Sequence, residues 1–362
     1  MTHALDPRSP LSEEFLSAVG ETLSGFLDAQ APLLETIGVL PMLDVAREAT
    51  DGGKRLRPAY CYWSYVAAAG IPDDDAALLA VSSSLDLLHV SALVHDDLID
   101  DADTRRGLPA AHKRFEELHA RRGGRGSAPD FGTSTAILLG DLLLMWSIEL
   151  ADGSGAARLD RARPLLSAMR AEVTAGQFLD VSAQYGVTGA RDAADELDVA
   201  LRVLEYKSAS YSVRRPALIG AALGGAGDRL NETLGEFGSV IGRAFQLRDD
   251  VLGVYGDPAV TGKPYGGDIH EGKRTVLVLA ALAAGGPPAT ELSELLGAPG
   301  LTDGDVRRAA DLIEASGALG DVEARIAASM TRAVDLLTAT EMTEEGRVAL
   351  TELAERSVRR AR

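Results

Sequence analysis

Residues 85–107 read LDLLHVSALVHDDLIDDADTRRG, and they carry the strongest structural signal in the chain. From Ala76 to Ile99 apolar residues recur at three- and four-residue spacing, which predicts one long helix. Leucine and valine supply most of its positions between residues 85 and 94, so it is expected to be a buried helix. Four aspartates follow within residues 96–101. The stretch therefore predicts a core helix that carries carboxylates at its C-terminal end.

Helical spacing also dominates the rest of the chain, while the alternating patterns of strands are scarce. Further helices are predicted over 132–150, 163–182, 196–211, 216–223 and 229–252. Loops are predicted over 121–131, 151–155, 253–272 and 285–304, and none of them is typical of an interdomain linker. Aromatic residues make up only 5%, which suits helix packing better than a sheet. We therefore predict an all-α fold in one domain spanning residues 1–362.

Composition and charge exclude several classes of protein. The net charge of −18 argues against a nucleic-acid binder, which needs a basic face. Cys61 is the only cysteine, so an intramolecular disulfide and a thiolate zinc site are excluded. No signal peptide is predicted, and Asp141 and Glu149 interrupt the most apolar stretch, so we expect no membrane span. These features favour a cytoplasmic enzyme.

The first aspartate cluster has the geometry of a cation site. Asp96 and Asp100 lie about 40° apart around a helix and roughly 6 Å along it, so both carboxylates can reach one place. Hard cations such as Mg²⁺ take oxygen ligands of this kind. Alone, the cluster is equally typical of a solvated acidic face. The buried helix before it favours a counter-ion, because carboxylates near a core need one.

A second aspartate pair, Asp249 and Asp250, also follows an apolar helical run. Two acidic clusters on separate helices are able to face each other across a cavity. Magnesium ions between them would bridge the oxygens of a diphosphate. The metal would then supply the positive charge that this acidic chain lacks.

Basic residues occur with spacing suited to phosphate. Residues 52–58 read GGKRLRP, where glycines let the backbone approach an anion and arginine offers a planar fork. On its own this segment is typical of a solvated basic turn. Arg105 and Arg106 follow Asp100 closely, and Lys207, Lys263 and Lys273 are among very few lysines.

Taken together, these segments resemble the trans-isoprenyl diphosphate synthase family, the polyprenyl synthetases. The resemblance covers about residues 52–275 and rests on six motifs in order. They are GGKRLRP, LDLLHVSALVHDDLIDDADTRRG, GQFLD, EYKSAS, FQLRDD and GDPAVTGK. One match is common, whereas all six are specific. The resemblance implies a bundle of long helices around a deep central cavity, usually as a homodimer.

The resemblance also implies roles for individual residues. Three Mg²⁺ ions would bind the allylic diphosphate. Their protein ligands would be Asp96, Asp97, Asp100, Asp249, Asp250 and Asp268. The allylic diphosphate itself would contact Arg105, Lys207, Lys263 and Lys273, with Gln177, Asp180 and Gln246 close by. Isopentenyl diphosphate would be held by Lys54, Arg57, His89 and Arg106. Catalysis would depend on Asp96, Asp97, Asp100, Lys207 and Asp249.

The chemistry that the resemblance implies is a head-to-tail condensation. Metal and cations stabilise the departing diphosphate, and the allylic cation is attacked by the double bond of isopentenyl diphosphate. One departure from the family pattern is clear: Gly253 stands where the second motif usually has its third aspartate. Whether Asp257 or Asp268 compensates is left open by the sequence.

Product length is partly readable from the helix that ends at Asp96. Ser91 and Ala92 are small at positions where bulky aromatics would block elongation, and Leu88 and Leu85 would form a floor below them. We predict an all-trans product longer than farnesyl, namely geranylgeranyl diphosphate. Farnesyl and longer polyprenyl diphosphates are the alternatives.

Two rival classes are less compatible with the residues. A class I terpene cyclase would need a Ser or Thr and then a Glu after the second acidic pair, where this chain has Gly253 and Asp257. It would also have no use for Lys54, Arg57 and His89. A non-catalytic partner subunit would be expected to lose metal ligands, yet both clusters are present.

Overall fold

The computed structural model describes residues 5–257 and 265–359. Its helices are α1 (Glu13–Ile37), α2 (Leu40–Thr50), α3 (Leu56–Ala69), α4 (Ala76–Ile99), α5 (Ala111–Arg121), α6 (Ala128–Asp152), α7 (Leu159–Gln184), α8 (Ala193–Val203), a π-helix (Leu204–Arg214), α9 (Arg215–Gly224), α10 (Asp228–Tyr255), α11 (Gly267–His270), α12 (Val276–Ala283), α13 (Gly286–Leu295), α14 (Asp303–Ala315), α15 (Ala318–Thr338) and α16 (Glu344–Val358). The strands β1 (Thr104–Arg105) and β2 (Leu108–Pro109) form a small antiparallel hairpin. The all-α prediction is confirmed.

Helix α4 lies in the core, with the bounds that its apolar pattern predicts. It packs mainly on α6 and also on α3 and α1. Leu85, Leu87 and Val90 are buried, and each such side chain stabilises the fold by about 1.5–3 kcal/mol. The helix ends at Ile99, because Asp100 leaves the helical conformation and Asp101 has a φ of 50°. The carboxylates at this end are thereby held at a fixed place.

Two stretches differ from the sequence-based expectation. The separate helices predicted over 196–211 and 216–223 are joined by the π-helix, so the run from Ala193 to Gly224 is unbroken. The loop predicted over 285–304 contains α13. Proline is favoured in the first turn of a helix, where its missing N–H costs nothing, and α13 has prolines there. Helices α6, α7 and α10 extend their predicted ranges by a few residues at each end.

Among the described residues, two helices are long and apolar enough to cross a bilayer by length and composition, α4 and α6. In α4, 72% of the most apolar window is buried inside the protein, so its apolarity is that of a core helix. In α6 the corresponding share is 44%. The exposed part of α6 is therefore an apolar surface that needs its own explanation.

Candidate active site

The end of α4 brings four predicted residues together. Asp96 accepts hydrogen bonds from Gln177 Nε2 of α7 at 2.8 Å and from Lys207 Nζ of the π-helix at 3.4 Å. Lys207 Nζ also donates to Asp180 Oδ2 at 2.6 Å. Burial lowers the pKa of Lys207, but Asp96 and Asp180 outweigh it and the net shift is upward. A protonated lysine therefore lies between two carboxylates, in a place that attracts cations.

Asp97 faces a different side of α4 from Asp96. Its carboxylate is buried and accepts a hydrogen bond from Arg105 Nε at 2.6 Å, with a second contact from Nη2. Arg105 is the last residue of β1, so this ion pair fixes the hairpin against the helix end. Asp97 thus holds a predicted phosphate-binding arginine.

The second acidic cluster lies in the last turns of α10. Asp249 is half-buried, whereas Asp250 is buried and accepts a hydrogen bond from Gln246 Nε2 at 2.9 Å. Burial raises the pKa of Asp250 to about 8, and the charges of Asp268 and Asp249 act in the same direction. The structure therefore pairs Gln246, predicted as a diphosphate contact, with a carboxyl group of the same helix.

Gly253 has a clear packing reason. A Cβ atom at this position would lie 2.0 Å from Oδ2 and 2.4 Å from Cγ of Asp268, so the carboxylate occupies the space of a side chain. Asp268 belongs to the short helix α11. Asp257 is exposed. Of the two acids that the sequence leaves open as substitutes for the third aspartate, Asp268 is the one whose carboxylate lies against Gly253.

Lys273 links the two acidic clusters. Burial lowers the pKa of Lys273, but Glu271, Asp268 and Asp100 raise it by more, so that the pKa lies above the ordinary value for lysine. Burial and Asp96 in turn raise the pKa of Asp100, while Lys273 opposes them. The charge of Lys273 therefore interacts both with Asp100 at the end of α4 and with Asp268 beside α10. Lys263 lies outside the described residues.

A basic group of side chains surrounds Tyr211 and Ser212 of the π-helix. Arg57 donates to Ser212 Oγ at 2.8 Å, and its guanidinium carbon lies 4.0 Å from the ring centre of Tyr211. His89 Nδ1 is 3.0 Å from the hydroxyl oxygen of Tyr211. Burial and the charges of Arg57 and Arg106 hold the pKa of His89 well below its usual range, so its imidazole is neutral. Arg57 Nε is buried without a hydrogen-bond partner among the described residues, which suits an incoming anion.

The hairpin places Arg106 over the GGKRLRP turn. Arg106 and Gly107 are its central residues, and both have the positive φ that tight two-residue hairpin turns require. The guanidinium lies against Gly53, where a Cβ atom would be 2.9 Å from Nη2. Lys54 follows Gly53 and is exposed. Because Gly53 has no side chain, the Arg106 guanidinium packs directly on the backbone of the turn.

Arg55 takes no part in this basic surface. It is buried, forms an ion pair with buried Asp86 of α4, and donates to the carbonyl of Thr50 at 2.7 Å. Sequence reasoning also missed Tyr211 and Ser212. The motif EYKSAS ends one residue before Tyr211, and only the π-helix decides which side chains beyond it face Arg57 and His89.

The residues predicted to control chain length lie on two sides of α4. Ser91 is buried and donates to the carbonyl of Gly140 in α6 at 2.7 Å. Ala92 is half-buried, and Leu88 is buried. Ser91 and Ala92, five and four residues before Asp96, are both small.

The donor set fits magnesium. In residues 5–257 and 265–359, no group of three or more His, Cys, Asp or Glu side chains is arranged to enclose a metal ion. Magnesium needs only one or two protein carboxylates, because water and substrate phosphates complete its octahedral shell. The carboxylates at the two helix ends satisfy that requirement.

Two carboxylate clusters at helix ends, with cations beside them on an all-helical fold, are typical of an enzyme that handles prenyl diphosphates, a trans-prenyltransferase. The sequence profile of the polyprenyl synthetase family matches residues 42–313, and the chain belongs to this family. Geranylfarnesyl diphosphate synthase of Aeropyrum pernix is 34% identical over 291 residues, 79% of this chain and 83% of the relative. Geranylgeranyl diphosphate synthase of Mycobacterium tuberculosis is 34% identical over 278 residues, 76% of this chain and 71% of the relative.

Solved structures agree with this assignment. Geranylgeranyl pyrophosphate synthase from Corynebacterium glutamicum, complexed with isoprenyl diphosphate and magnesium, superposes with a TM-score of 0.90. It is 36% identical, and the match covers 96% of this chain and 99% of that one. Polyprenyl synthase from Caulobacter crescentus, complexed with calcium and isoprenyl diphosphate, has a TM-score of 0.77 at 27% identity, covering 98% of both chains. The protein is a prenyl diphosphate synthase.

Proposed function

We propose that the protein condenses an allylic prenyl diphosphate with isopentenyl diphosphate, head to tail, to give geranylgeranyl diphosphate. The observation that carries the product length is the pair of small residues, Ser91 and Ala92, one turn before Asp96. A growing chain that passes Ala92 meets Leu88 and Leu85, which are buried deeper along α4. The named relatives make products of several lengths, so the proposal rests on this chain's own residues.

Magnesium is the proposed cofactor, with three ions in each site. Asp96 and Asp100 would hold it from one side, and Asp249, with Asp250 and Asp268, from the other. When bound, magnesium neutralises the diphosphate and makes it a better leaving group. All these ligands are carboxylates, which is the donor type that this ion prefers.

The allylic diphosphate is proposed to lie between the acidic clusters and the cations around them. Arg105, Lys207 and Lys273 stabilise the negative charge that develops as the allylic C–O bond breaks. Asp97 orients Arg105 through the ion pair between them. Gln177, Asp180 and Gln246 adjoin this position, and Lys263 is expected to reach it as well. The electron pair of the broken bond leaves with the diphosphate.

Isopentenyl diphosphate is proposed to bind on the basic side. Lys54, Arg57 and Arg106 would contact its phosphates, and the neutral imidazole of His89 would add a hydrogen bond. Its double bond then attacks the allylic cation, and a new carbon–carbon bond forms. The product loses a proton to the released diphosphate. The apolar face of α4 excludes water, which would otherwise quench the cation.

The experiment that tests this function is an incubation of the full chain with magnesium, radiolabelled isopentenyl diphosphate and each allylic primer in turn. Dimethylallyl, geranyl and farnesyl diphosphate are the primers. The expected result is geranylgeranyl diphosphate. Farnesyl or longer products would leave the family assignment intact and overturn the product length. A cyclic hydrocarbon would indicate a terpene cyclase, and a lack of any product would indicate a non-catalytic partner subunit.

Replacing Ala92 with phenylalanine is expected to shorten the main product to farnesyl diphosphate, because the ring would fill the space below Asp96. Chromatography of the dephosphorylated products measures the change. Ala92→Gly is the control, since it keeps the space open and should retain the wild-type product. Unchanged product length in Ala92→Phe would show that the chain runs elsewhere.

A homodimer through α6 is a further part of the proposal. Large apolar side chains of this helix are exposed, among them Leu138 at 58%, Met145 at 56% and Ile137 at 43%. Such a surface is typical of a protein–protein interface.

One continuous core extends from Phe15 to Val358 and supports a single domain. The cytoplasmic location stays a prediction.

Replacing both Leu138 and Met145 with glutamate is expected to convert the dimer to a monomer, because charges would be buried at the contact. Light scattering coupled to size-exclusion chromatography measures the mass. Exposed Leu33→Glu on α1 is the control for an added surface charge and should leave the mass unchanged. A dimeric double variant would mean that another surface pairs.

A further inference from the structure

The π-helix from Leu204 to Arg214 is the most unusual segment of the site. In a π-helix each N–H bonds to the carbonyl five residues back, and such turns are rare and short. Here the segment extends over 11 residues between α8 and α9. It carries Lys207 towards the acidic clusters and Tyr211 and Ser212 towards the basic group. Its position therefore sets both halves of the site at once.

Glycines of α7 and α10 contact this segment from opposite sides. A Cβ atom on Gly176 of α7 would lie 2.5 Å from the backbone N and 2.8 Å from Cα of Lys207. A Cβ atom on Gly242 of α10 would lie 2.5 Å from the carbonyl oxygen of Ala209. The atoms met are backbone atoms, which cannot rotate away as a side chain does. The two helices reach the π-helix only because these side chains are absent.

The contacts of Lys207 depend directly on this packing. Gly176 and Gln177 are neighbours on α7, and Asp180 lies one turn further along the same helix. A backbone moved away from Gly176 would carry Lys207 Nζ away from Asp180, now at 2.6 Å, and from Asp96, now at 3.4 Å. A displacement of about 1 Å at such a site is enough to lower the rate about 10²-fold.

We propose that Gly176 and Gly242 are positioning residues for the condensation. They clamp the π-helix so that Lys207 reaches the allylic diphosphate between the acidic clusters. The inference rests on the proposed function, because it assigns Lys207 to that substrate. Neither glycine touches a substrate, and Gly176 acts through the backbone of Lys207.

The test compares Gly176→Ala in the wild type and in a Lys207→Met background. In the wild type we expect kcat to fall about 10²-fold, with a larger rise in KM for the allylic substrate than for isopentenyl diphosphate. In the Lys207→Met background, Gly176→Ala is expected to lower kcat by less than about twofold, because the effects of substitutions at residues that act as a unit are not additive. Equal losses in both backgrounds, or no loss in the wild type, would overturn the proposal.

Gly235→Ala is the matched control on α10, since its Cβ atom would meet only side-chain atoms of Leu218 at 3.5 Å or more. It should retain wild-type kinetics and thermal stability. If Gly176→Ala fails to fold, Gly242→Ala takes its place, and its kcat and KM are compared in the wild type and in the Lys207→Met background. If neither variant folds, the glycines serve folding and the positioning role is overturned.

Calorimetry with inorganic pyrophosphate and magnesium provides a readout apart from turnover. Gly176→Ala should weaken pyrophosphate binding, and in the Lys207→Met background it should weaken it no further. A wild-type protein that binds pyrophosphate but makes no prenyl product would overturn the proposed function alone. Unchanged pyrophosphate affinity in Gly176→Ala would overturn the positioning role alone.

Discussion

Replacing Asp96 with asparagine is expected to lower kcat by about 10²- to 10³-fold, the usual cost of losing one electrostatic contact to a transition state. Asparagine has nearly the same size as aspartate, but it lacks the charge that would hold magnesium against the diphosphate. The lysine beside it, Lys207, would keep its contact with Asp180. The fold should be unaffected, because Asp96 is only half-buried at the end of α4.

Steady-state rates over a range of magnesium concentrations measure this effect. We expect the magnesium concentration for half-maximal rate to rise, because the ion loses a ligand. Asp101→Asn is the matched control: it is an exposed aspartate five residues later, and asparagine tolerates its positive φ. A fall in rate of less than about tenfold in Asp96→Asn would be too small for a transition-state contact and would remove the first cluster from the mechanism.

The sequence predicts α4 well because one strong signal dominates there. Apolar residues at helical spacing through this 24-residue segment are typical of a buried helix, and the aspartates at its C-terminal end close the pattern. The cluster at its end could be assigned to a cation for the same reason. Asp96 accepts hydrogen bonds from Gln177 and Lys207, and Lys207 also donates to Asp180.

The π-helix could not be predicted from the same kind of signal. Its residues are ordinary helix formers, and the shift to i→i+5 bonding has no pattern of its own. Packing against Gly176 and Gly242, distant in sequence, supports that conformation. Consequently the sequence identified Lys207 but missed Tyr211 and Ser212, whose direction depends on the shift.

The position of Asp268 shows a related limit. Gly253 and Asp268 are 15 residues apart in the sequence, and no spacing rule states which acid returns to the helix. The structure brings the Asp268 carboxylate against Gly253, so a gap in the motif becomes the space for another side chain. The role of Arg55 was likewise hidden, because three cations in one turn give no sign that one of them is buried.

Replacing Asp86 with alanine is expected to lower the free energy of unfolding by about 3–5 kcal/mol, the cost of removing one partner of a buried ion pair. The side chains of Arg55 and Asp86 are only 6% and 5% exposed. Without Asp86, the guanidinium would keep only the carbonyl of Thr50 as a hydrogen-bond acceptor. Because Arg55 begins the turn into α3, the KM for isopentenyl diphosphate is expected to rise as well. Chemical denaturation at a fixed protein concentration measures the loss.

Two further variants separate burial from charge pairing. Glu236→Ala breaks an exposed pair with Arg332 and should cost less than about 1 kcal/mol, because solvent screens such pairs. The double variant Arg55→Met with Asp86→Leu removes both charges and should recover most of the stability, since no charge is left buried. It should not recover the KM for isopentenyl diphosphate if Arg55 fixes the turn through Thr50. Recovery of both the stability and the KM would mean that apolar packing is enough to hold the turn. The ion pair between Arg55 and Asp86 would then have no role in positioning Arg57.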